Sequence, residues 1–532
     1  MKNFAGQILL RSRYPFAIAA GVVLTASLPK IGLAGFAWVA PALILAAAHG
    51  KTGGEVFRIG YVAGLAQHLA SLYWLLLIPV SGYPILGWVA LSALLALYPA
   101  FWVWILAGKP GTGSWAQRKV WPLAGAAIWV ALEMLQARLF SGFPWNLFGS
   151  SQFQLLPLIQ IASVCGVYGV SFIIVWTSLS LFSAALVILH QPTHRHAWLG
   201  EIILPLTALV GVFIFGFARL REQSPNGPTL RVAFIQPSIP QKWIWASGED
   251  SSWFSRVLDL TKQALTNETD LVLWPEAAIP KMIRYDQETL DVITGLAKSN
   301  RVWMIIGSDD AEPRVNSQNT RDSAFFNCSF LVSPNGTLVS RYCKRNLVIF
   351  GEYIPLVRWL PFVKWFTPIS SGFTPGDKVV PFELSDLKAK VATLICFEDM
   401  FPHLTLEYVE ADTDFLVNLT NDGWFGESAE QWQHTAGAIF RAVENGIPLA
   451  RCCNNGITCW VDSRGRIREI FRNETGSVYG PGFMTAQIPV LAPGRQRPPT
   501  FYNRHGDWFG WICVATAILI VLMRVRRKSL AA

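Results

Sequence analysis

Long apolar stretches fill the first 222 residues of this chain, and one more lies near its end. A helix that spans a bilayer needs about 20 predominantly apolar residues. Windows of roughly that length lie at residues 14–29, 31–49, 56–80, 85–108, 120–140, 157–189, 199–219 and 508–523. Only 15% of the 532 residues are charged, whereas an average soluble protein has about 25%. The sequence therefore predicts a polytopic α-helical membrane region of about eight spans, and it excludes a disordered chain, a disulfide scaffold and a wholly soluble enzyme.

The lysines and arginines of the short loops predict which way the membrane region faces, because such residues favour the cytoplasmic side. With the amino terminus inside, thirteen basic residues fall in inner segments, whereas the outer short loops contain only Lys30 and Arg138. Seven spans then place residues 225–505 on the outer face, and the eighth returns a basic tail to the cytoplasm. The net charge of +9 is therefore partly a topology signal and does not argue for binding to nucleic acid.

The distribution of apolar and charged residues divides the chain into three parts. Residues 1–222 hold transmembrane helices 1–7, residues 223–495 form an outer domain, and residues 496–532 hold a linker, the last transmembrane helix and the basic tail. In the outer domain, strands are predicted at 230–236, 270–274, 302–307, 325–332, 338–343, 390–396, 414–419, 449–452 and 457–461. Helices are predicted at 253–264, 286–298 and 430–444, with another from about residue 402. Mixed strands and helices indicate a layered α/β domain.

Three predicted strand ends in the outer domain carry side chains suited to acyl transfer. Glu276 follows a buried strand and a rigid Trp-Pro turn, and Cys396 ends another strand just before a helix. Lys344 and Glu352 lie eight residues apart beyond a predicted hairpin. A helix amino terminus and a nearby ammonium favour a thiolate, a lysine can stabilise an oxyanion, and a glutamate can act as a base. Each residue alone is typical of an ordinary buried or solvated side chain, but the combination favours a catalytic cysteine.

These residues resemble the Glu-Lys-Cys triad of the nitrilase, or carbon–nitrogen hydrolase, superfamily, whose fold is an αββα sandwich. The resemblance extends to the apolipoprotein N-acyltransferase family, in which a nitrilase-like catalytic domain is inserted before the last membrane helix. Further segments extend the resemblance along almost the whole chain: SGFPW at 141–145, QPSIPQ at 236–241, FGEYIP at 350–355, NLTNDGWFG at 418–426, QH at 433–434, RAVE at 441–444 and NNGIT at 454–458.

The resemblance implies a two-step acyl transfer that gives ping-pong kinetics. Cys396 would attack an ester of a phospholipid, typically phosphatidylethanolamine, with Glu276 as general base. Lys344 would stabilise the oxyanion together with the backbone N–H of Phe397, which stands where the family often has tyrosine. The thioester would then pass its acyl chain to the α-amino group of a diacylglyceryl-cysteine at the amino terminus of an apolipoprotein. No metal or other cofactor is implied.

The resemblance also implies supporting residues and a location. Glu352 and Glu398 match carboxylates that hold the lysine and support the thiol, and Trp245 matches an aromatic residue near the lipid entrance. The family implies a multi-pass protein of the bacterial cell inner membrane, with the catalytic domain on the periplasmic side. We expect a monomer whose partners are the phospholipid donor, the diacylglyceryl apolipoprotein and the bilayer.

Two other classes of protein share some of these features. A membrane-anchored amidase or nitrilase that acts on small C–N substrates would have the same triad, but it would not need seven preceding spans. A transporter with an outer receptor domain would place ionisable or Gly/Pro-broken sites at mid-membrane. The predicted spans hold few charges, with Glu133 the clearest, so the sequence disfavours the transporter.

An apolar, aromatic stretch at residues 353–366 follows Glu352 directly and contains only two cations, Arg358 and Lys364. On a soluble hydrolase such a surface stretch would favour aggregation. Beside a bilayer it can lie in the interface while the two cations reach lipid headgroups. An ordinary buried loop is the alternative. We expect this stretch to gate lipid entry and to keep water from the thioester.

If the stretch gates lipid entry, replacing Trp359 and Trp365 with serine slows formation of the acyl-enzyme, because both side chains lose their affinity for the interface. The rate is measured by intact mass after mixing the protein with phospholipid. Unchanged acylation would reject the gating role.

Overall fold

The computed structural model describes residues 13–80, 83–107, 115–190, 198–222, 227–241, 250–313, 323–355 and 372–531. The predicted entrance residues Trp245, Trp359 and Trp365 lie outside these ranges. The chain separates into two units. The helical unit comprises Met1–Leu76, Ile85–Glu222 and Thr500–Ala532, and the α/β unit comprises Leu77–Pro84 and Gln223–Pro499.

Helices make up the regular structure of the helical unit. In chain order, the α-helices of the described membrane region are Arg13–Ala26, Ala40–Ala48, Gly53–Ser71, Tyr83–Leu95, Leu97–Leu106, Trp115–Gln136, Leu156–Ile159, Ala162–His190, Leu199–Arg221, Phe501–His505 and Trp508–Ala531. Among the described residues, four segments are long and apolar enough to cross a membrane: Tyr83–Leu106, Ala162–Leu189, Leu199–Arg221 and Trp508–Arg526. The helical membrane region is therefore confirmed, but the count of about eight spans is not.

The remaining predicted windows differ from these four for reasons visible in the sequence. The window at 31–49 contains the short 3-10 helix Ala34–Trp38 and the nine-residue helix Ala40–Ala48. Nine helical residues extend only about 14 Å, about half of the hydrocarbon thickness of a bilayer. The helix Trp115–Gln136 is long enough, but its sequence includes Arg118, Lys119 and Glu133. Apolar composition alone therefore does not set the length of a helix.

Charged side chains inside the helical unit have partners, as expected where water is scarce. Arg118 Nε lies 2.9 Å from Glu201 Oε1, and Arg138 pairs with Asp507. Glu133 Oε1 accepts hydrogen bonds from the backbone N–H of Phe148 at 2.6 Å and from the Trp129 indole at 3.0 Å. These contacts join segments far apart in sequence, so the buried charges stabilise the packing of the helices.

The α/β unit contains twelve described strands in two sheets of six. In chain order they are β1 (Thr229–Gln236), β2 (Leu271–Leu273), β3 (Trp303–Pro313), β4 (Ser323–Val332), β5 (Leu338–Cys343), β6 (Pro381–Leu384), β7 (Ala389–Ile395), β8 (Phe415–Thr420), β9 (Leu449–Cys453), β10 (Cys459–Val461), β11 (Ile467–Ile470) and β12 (Gly482–Pro489). The first sheet has the order β12-β1-β2-β3-β4-β5, and the second has the order β11-β10-β9-β8-β7-β6.

Both sheets use the same arrangement of strand directions. In the first sheet, β1, β2 and β3 are parallel, and antiparallel strands flank them. In the second sheet, β7, β8 and β9 are parallel, and their flanking strands are again antiparallel. Because the carboxyl ends of neighbouring parallel strands lie at one edge of a sheet, each sheet has an edge where residues that follow these strands converge.

Helices cover the outer faces of the sheets. The helices Asp250–Ala264 and Gln287–Asn300 contribute Trp253, Val257 and Ile293 to an apolar core with side chains of β1 to β4. The helix Glu430–Asn445 is almost wholly buried and packs beside β9. Its length and boundaries follow from an amphipathic run that ends at Gly446, which adopts a left-handed conformation suited to glycine.

The inner faces of the two sheets meet through buried side chains. Cys452 of β9 lies with its Sγ 3.4 Å from the carbonyl oxygen of Ile235 and 3.3 Å from that of Leu273. These carbonyls belong to β1 and β2, so one thiol joins the two sheets. The layers therefore run helix, sheet, sheet, helix, which confirms the predicted αββα sandwich.

Gly307 of β3 allows a close approach between this strand and the segment after β2. A Cβ at this position would lie 2.3 Å from the carbonyl oxygen of Pro275 and 2.8 Å from the Cα of Glu276. We expect Gly307→Ala to lower the apparent unfolding temperature, because overpacking of a tight contact costs about 1–3 kcal/mol. Scanning fluorimetry of the detergent-solubilised protein measures the change.

A matched control is Gly295→Ala in the helix Gln287–Asn300, where an added Cβ meets no atom within 4 Å. This change leaves the unfolding temperature unaltered or raises it, because alanine is the better helix former by about 1 kcal/mol. Equal unfolding temperatures for the two variants would contradict the close contact at Gly307.

Candidate active site

Cys396 lies at the carboxyl end of β7, at the first residue of the short 3-10 helix Cys396–Met400. Its φ is +55°, a left-handed conformation that non-glycine residues rarely adopt. The Asn418 side chain of the neighbouring strand β8 donates a hydrogen bond of 2.7 Å to the Cys396 carbonyl and so fixes this turn. The strand-to-helix turn is strained, as is common at functional sites, and the residue as a whole is partly exposed.

Glu276 follows β2 after the turn made by Trp274 and Pro275. Trp274 is fully buried, and its indole N–H donates to Thr261 Oγ1 at 2.9 Å, which anchors the turn in the core. The Glu276 carboxylate is 8% exposed, and its Oε1 lies 3.5 Å from Lys344 Nζ. A carboxylate this buried keeps a defined position next to the lysine.

Lys344 follows β5 directly and is 1% exposed. Its Nζ donates to Glu352 Oε1 at 2.9 Å, a shorter contact than the one to Glu276. Glu352 Oε2 in turn accepts the backbone N–H of Val348 at 2.7 Å. Glu352 therefore holds the ammonium, as the sequence predicts, and is itself fixed by the loop that it belongs to.

Asn327 of β4 is a site residue that the sequence reasoning missed. Its Nδ2 donates to Glu276 Oε1 at 2.7 Å and to Glu352 Oε1 at 3.0 Å, so one amide bridges the two carboxylates. The disulfide Cys328–Cys343 joins β4 and β5 beside the two site residues Asn327 and Lys344. Register between β4 and β5 brings the two cysteines opposite each other, and no spacing rule in the sequence reveals this pair.

Glu398 connects the segment that carries Lys344 to the segment that carries Cys396. It is fully buried, and its carboxylate accepts the backbone N–H groups of Ile395 at 2.8 Å and of Arg345 at 2.8 Å. Its closest described contacts are thus backbone amides, so it acts by positioning these two segments. Of the predicted residues around the thiol, Phe397 lies with its ring centroid 5.6 Å from Lys344 Nζ, which adds a cation–π contact.

Burial and neighbouring charges set the protonation states at the site. Burial raises the pKa of the Cys396 thiol well above its ordinary value, Glu276 raises it further, and Lys344 lowers it. Burial also raises the pKa of Glu276, against the opposing effects of Lys344 and of a hydrogen bond to the Cys396 thiol. Burial alone would lower the pKa of Lys344, but the negative charges of Glu352 and its neighbours raise it, so the ammonium persists.

The sequence indicates that a helix amino terminus and a nearby ammonium favour a thiolate at Cys396, whereas burial in the structure raises the pKa of this thiol. A single ammonium does not compensate for burial next to two carboxylates, Glu276 and Glu352, both of which raise the thiol's pKa. The thiol proton of Cys396 is hydrogen-bonded to the Glu276 carboxylate. The carboxylate is therefore in position to take that proton as sulfur attacks.

A second buried network anchors the turn that carries Cys396. Asp399, three residues further along, lies with its carboxylate 2.8 Å from His434 Nε2 and 3.0 Å from Arg451 Nη1. Burial lowers the pKa of His434, but Asp399 and its neighbours raise it well above the ordinary value on balance. A charged, buried imidazole and a guanidinium thus fix the 3-10 helix from β9 and from the helix Glu430–Asn445.

Part of this network has the donor set of a metal site. Asp422, Glu430 and His434 offer ligand atoms that all lie within 4.8 Å of one another. Arg451 Nη2 lies 2.7 Å from Asp422 Oδ2 and 2.9 Å from His434 Nδ1. Because a guanidinium already contacts two of the three donors, the arrangement is better described as an ion-pair network.

Comparison with known proteins identifies the family. Residues 20–180 match the apolipoprotein N-acyltransferase N-terminal domain, and residues 231–480 match carbon-nitrogen hydrolase. A protein from Geobacter metallireducens named apolipoprotein N-acyltransferase is 34% identical over 98% of this chain and 96% of that protein. The chain belongs to the apolipoprotein N-acyltransferase family. Proteins of the same name from Rickettsia prowazekii and Vibrio vulnificus are 30% and 29% identical, over 87% and 99% of this chain and 88% and 100% of those proteins.

Solved structures of similar proteins cover about half of the chain. An amidase of the nitrilase superfamily from a Nesterenkonia species is 17% identical, with a TM-score of 0.35, over 50% of this chain and 94% of that chain. A carbon-nitrogen hydrolase from Helicobacter pylori is 17% identical, with a TM-score of 0.36, over 49% of this chain and 89% of that chain. At these TM-scores the likeness adds nothing to the family match.

The protonation states predict how the thiol reacts with pH. We expect iodoacetamide to alkylate Cys396 slowly near neutral pH and faster only in alkaline solution, because the raised pKa keeps sulfur protonated. Glu276→Gln removes a negative charge and shifts the reactivity curve to lower pH, whereas Lys344→Met removes a positive charge and shifts it to higher pH. Intact mass measures the alkylated fraction.

Cys396→Ser gives the background from the other free cysteines. A wild-type curve already saturated below neutral pH would contradict a protonated resting sulfur, and identical curves for the two charge variants would contradict the electrostatic coupling.

Proposed function

We propose that this protein transfers an acyl chain from a phospholipid to the amino terminus of a lipoprotein, through a thioester on Cys396. The observation that carries the proposal is the buried set Glu276, Lys344 and Glu352 next to Cys396. Membership of the apolipoprotein N-acyltransferase family supports the reaction class. Four helices of membrane-spanning length support a lipid donor, because the active chain is then held where phospholipids are.

In the first proposed step, the Cys396 sulfur attacks the ester carbonyl of a phospholipid while Glu276 takes the thiol proton. The negative charge that develops on the carbonyl oxygen is stabilised by the Lys344 ammonium and by the backbone N–H of Phe397. The C–O bond then breaks, and the leaving alkoxide of the lysophospholipid takes the proton from Glu276. The acyl chain is now a thioester on Cys396.

In the second proposed step, the lone pair of a neutral amine attacks the thioester. Glu276 takes the proton that the attack makes acidic, and Lys344 again stabilises the oxyanion. The C–S bond breaks, sulfur regains the proton, and the acyl chain is an amide on the acceptor. Because donor product leaves before acceptor reacts, the kinetics are ping-pong.

The location and the substrates belong to the same proposal. We place the chain in the bacterial inner membrane with about eight spans, and the catalytic part, residues 223–495, on the periplasmic side. The donor is phosphatidylethanolamine, the acceptor is a diacylglyceryl apolipoprotein, and the working form is a monomer. The distribution of lysine and arginine supports this orientation. Residues 1–222 and 496–532 supply the spans.

We propose that three tryptophans, which lie outside the described residues, act at the lipid entrance. Trp245 is placed near the lipid entrance by the family resemblance, and Trp359 and Trp365 by the apolar stretch after Glu352. Aromatic side chains of this kind settle at the interface between hydrocarbon and headgroups.

Incubation with phospholipid alone tests the proposal. We expect intact mass to show one acyl chain added to the wild-type protein, and peptide mapping to place it on Cys396. A later addition of a diacylglyceryl peptide with a free amino terminus should return the protein to its original mass and acylate the peptide. Cys396→Ser should show neither event, since it lacks the sulfur nucleophile.

A buried cysteine outside the site supplies a matched control. Cys459→Ser exchanges the same atoms in β10 and should retain acylation. Acyl transfer by the Cys396→Ser variant would refute the nucleophile. Hydrolysis of small amides without any acylation by phospholipid would instead identify a membrane-anchored carbon–nitrogen hydrolase.

A further inference from the structure

Asp309 of β3 is a carboxyl group next to the site that the two proposed steps do not use. It lies two residues after Gly307, where an added Cβ would lie 2.8 Å from the Cα of Glu276. Because alternate residues of a strand share a face, the Asp309 side chain lies on the face toward Glu276. It is partly exposed, and among the described residues no hydrogen-bond donor to its carboxylate is found.

The antiparallel register of β3 and β4 places Asn327 directly opposite Asp309. Side chains that oppose each other in this way have Cβ atoms about 4.5–5.5 Å apart. Asn327 is only 6% exposed, and its Oδ1 has no hydrogen-bond partner among the described residues. Its Nδ2 is committed to Glu276 and Glu352, which fixes the amide so that the oxygen faces away from these carboxylates.

Two acceptors without donors therefore lie side by side at the edge of the site. Asn327 Oδ1 is a buried acceptor without a donor, which costs about 1–3 kcal/mol, and a donor-rich group that arrives beside Asp309 would satisfy it. A primary ammonium has three N–H donors and a positive charge, which fits one amide oxygen and one carboxylate. A phosphate or a carboxylate would be repelled by the negative charge of Asp309, Glu276 and Glu352.

We propose that Asp309 and Asn327 Oδ1 form the docking position for the primary ammonium group of a substrate. This inference rests on the proposed function, which brings two such groups to the site: the α-ammonium of the acceptor and the headgroup ammonium of a phosphatidylethanolamine donor. For the acceptor, docking prepares attack. One N–H bond breaks, its proton passes to the Asp309 carboxylate, and the lone pair left on nitrogen is free to attack the thioester.

The electrostatics of Asp309 suit this role. Burial and the negative charges of Glu276, Glu352 and Asp310 together raise its pKa to about 7, against the opposing effect of Lys344. Of these charged groups, Glu276 belongs to the segment after β2, Asp310 belongs to β3 itself, and Lys344 and Glu352 belong to the segment after β5. An α-amino group has a pKa of about 7.7–8.0. This is close to the pKa of Asp309, so proton transfer from the ammonium to Asp309 requires little free energy. Below about pH 7 the carboxyl is protonated and docking is lost.

The experiment measures the two half-reactions of the full-length protein separately, with Asp309→Asn as the test variant. The first arm follows acyl-enzyme formation by intact mass with phosphatidylethanolamine or phosphatidylglycerol as donor. The second arm starts from acyl-enzyme and follows its decay with increasing concentrations of a diacylglyceryl peptide. Because a charge-assisted hydrogen bond is lost, KM for the affected substrate should rise about tenfold.

The two arms distinguish the two ammonium sources. A rise in KM for the peptide alone assigns the position to the acceptor, and a loss specific to phosphatidylethanolamine assigns it to the donor headgroup. In the first case the wild-type second step gains rate as pH rises through about 7. In Asp309→Asn the rise follows only the ionisation of the acceptor's α-amino group, at about 7.7–8.0. Asp309→Glu should restore part of the rate, since it retains the charge.

Asp259→Asn is the matched control, because this aspartate is exposed on the helix Asp250–Ala264 and pairs only with nearby Lys262 in the described structure. Equal losses for both donors and the peptide, or no loss in any arm, would overturn the docking position. Absence of acyl-enzyme in the wild-type protein would instead refute the proposed function, so the two failures are distinguishable. Unfolding temperatures of all variants separate misfolding from loss of docking.

Discussion

A buried ammonium shared by two carboxylates is the interaction on which the rest of the site depends. Lys344 contacts both Glu276 and Glu352, and all three are largely removed from water. Each such charge costs several kcal/mol to bury unless it is paired, so the removal of any one leaves the others uncompensated. The set has one negative charge in excess, and burial together with this excess raises the pKa of the neighbouring Cys396 thiol. The same excess supports the proposed role of Glu276 as a base toward sulfur and favours cations at the site.

Backbone amides, rather than further side-chain charges, hold this ion set in register. Glu398 accepts the amides of Ile395 and Arg345, which precede Cys396 and follow Lys344 respectively. Glu352 accepts the amide of Val348 in its own loop. Glu352 and Glu398 thus act as anchors, because each accepts hydrogen bonds from backbone N–H groups near Lys344 or Cys396. The disulfide Cys328–Cys343 adds a covalent link between the two strands beside the site.

How much of this was predictable differs from element to element. The strand at 338–343 and the helix that begins at residue 430 were predicted at their observed positions, because their apolar patterns are strong and end at turn residues. The strands β6, β11 and β12 were missed, since each lies at a sheet edge and none has a continuous apolar run. The apolar windows before residue 80 gave more predicted spans than helices of sufficient length, because local turns divide them.

The sequence by itself determined the family and the division into an apolar helical region and an α/β region, because these are carried by composition and by local motifs. The same motifs led to the proposal of the Glu-Lys-Cys residues. Only the tertiary structure decided that Asn327 bridges two carboxylates, that Asp309 lies opposite Asn327 and that burial raises the pKa of the Cys396 thiol. Each of these depends on strand register or on burial. Both arise from contacts between residues far apart in the chain, and no local pattern encodes them.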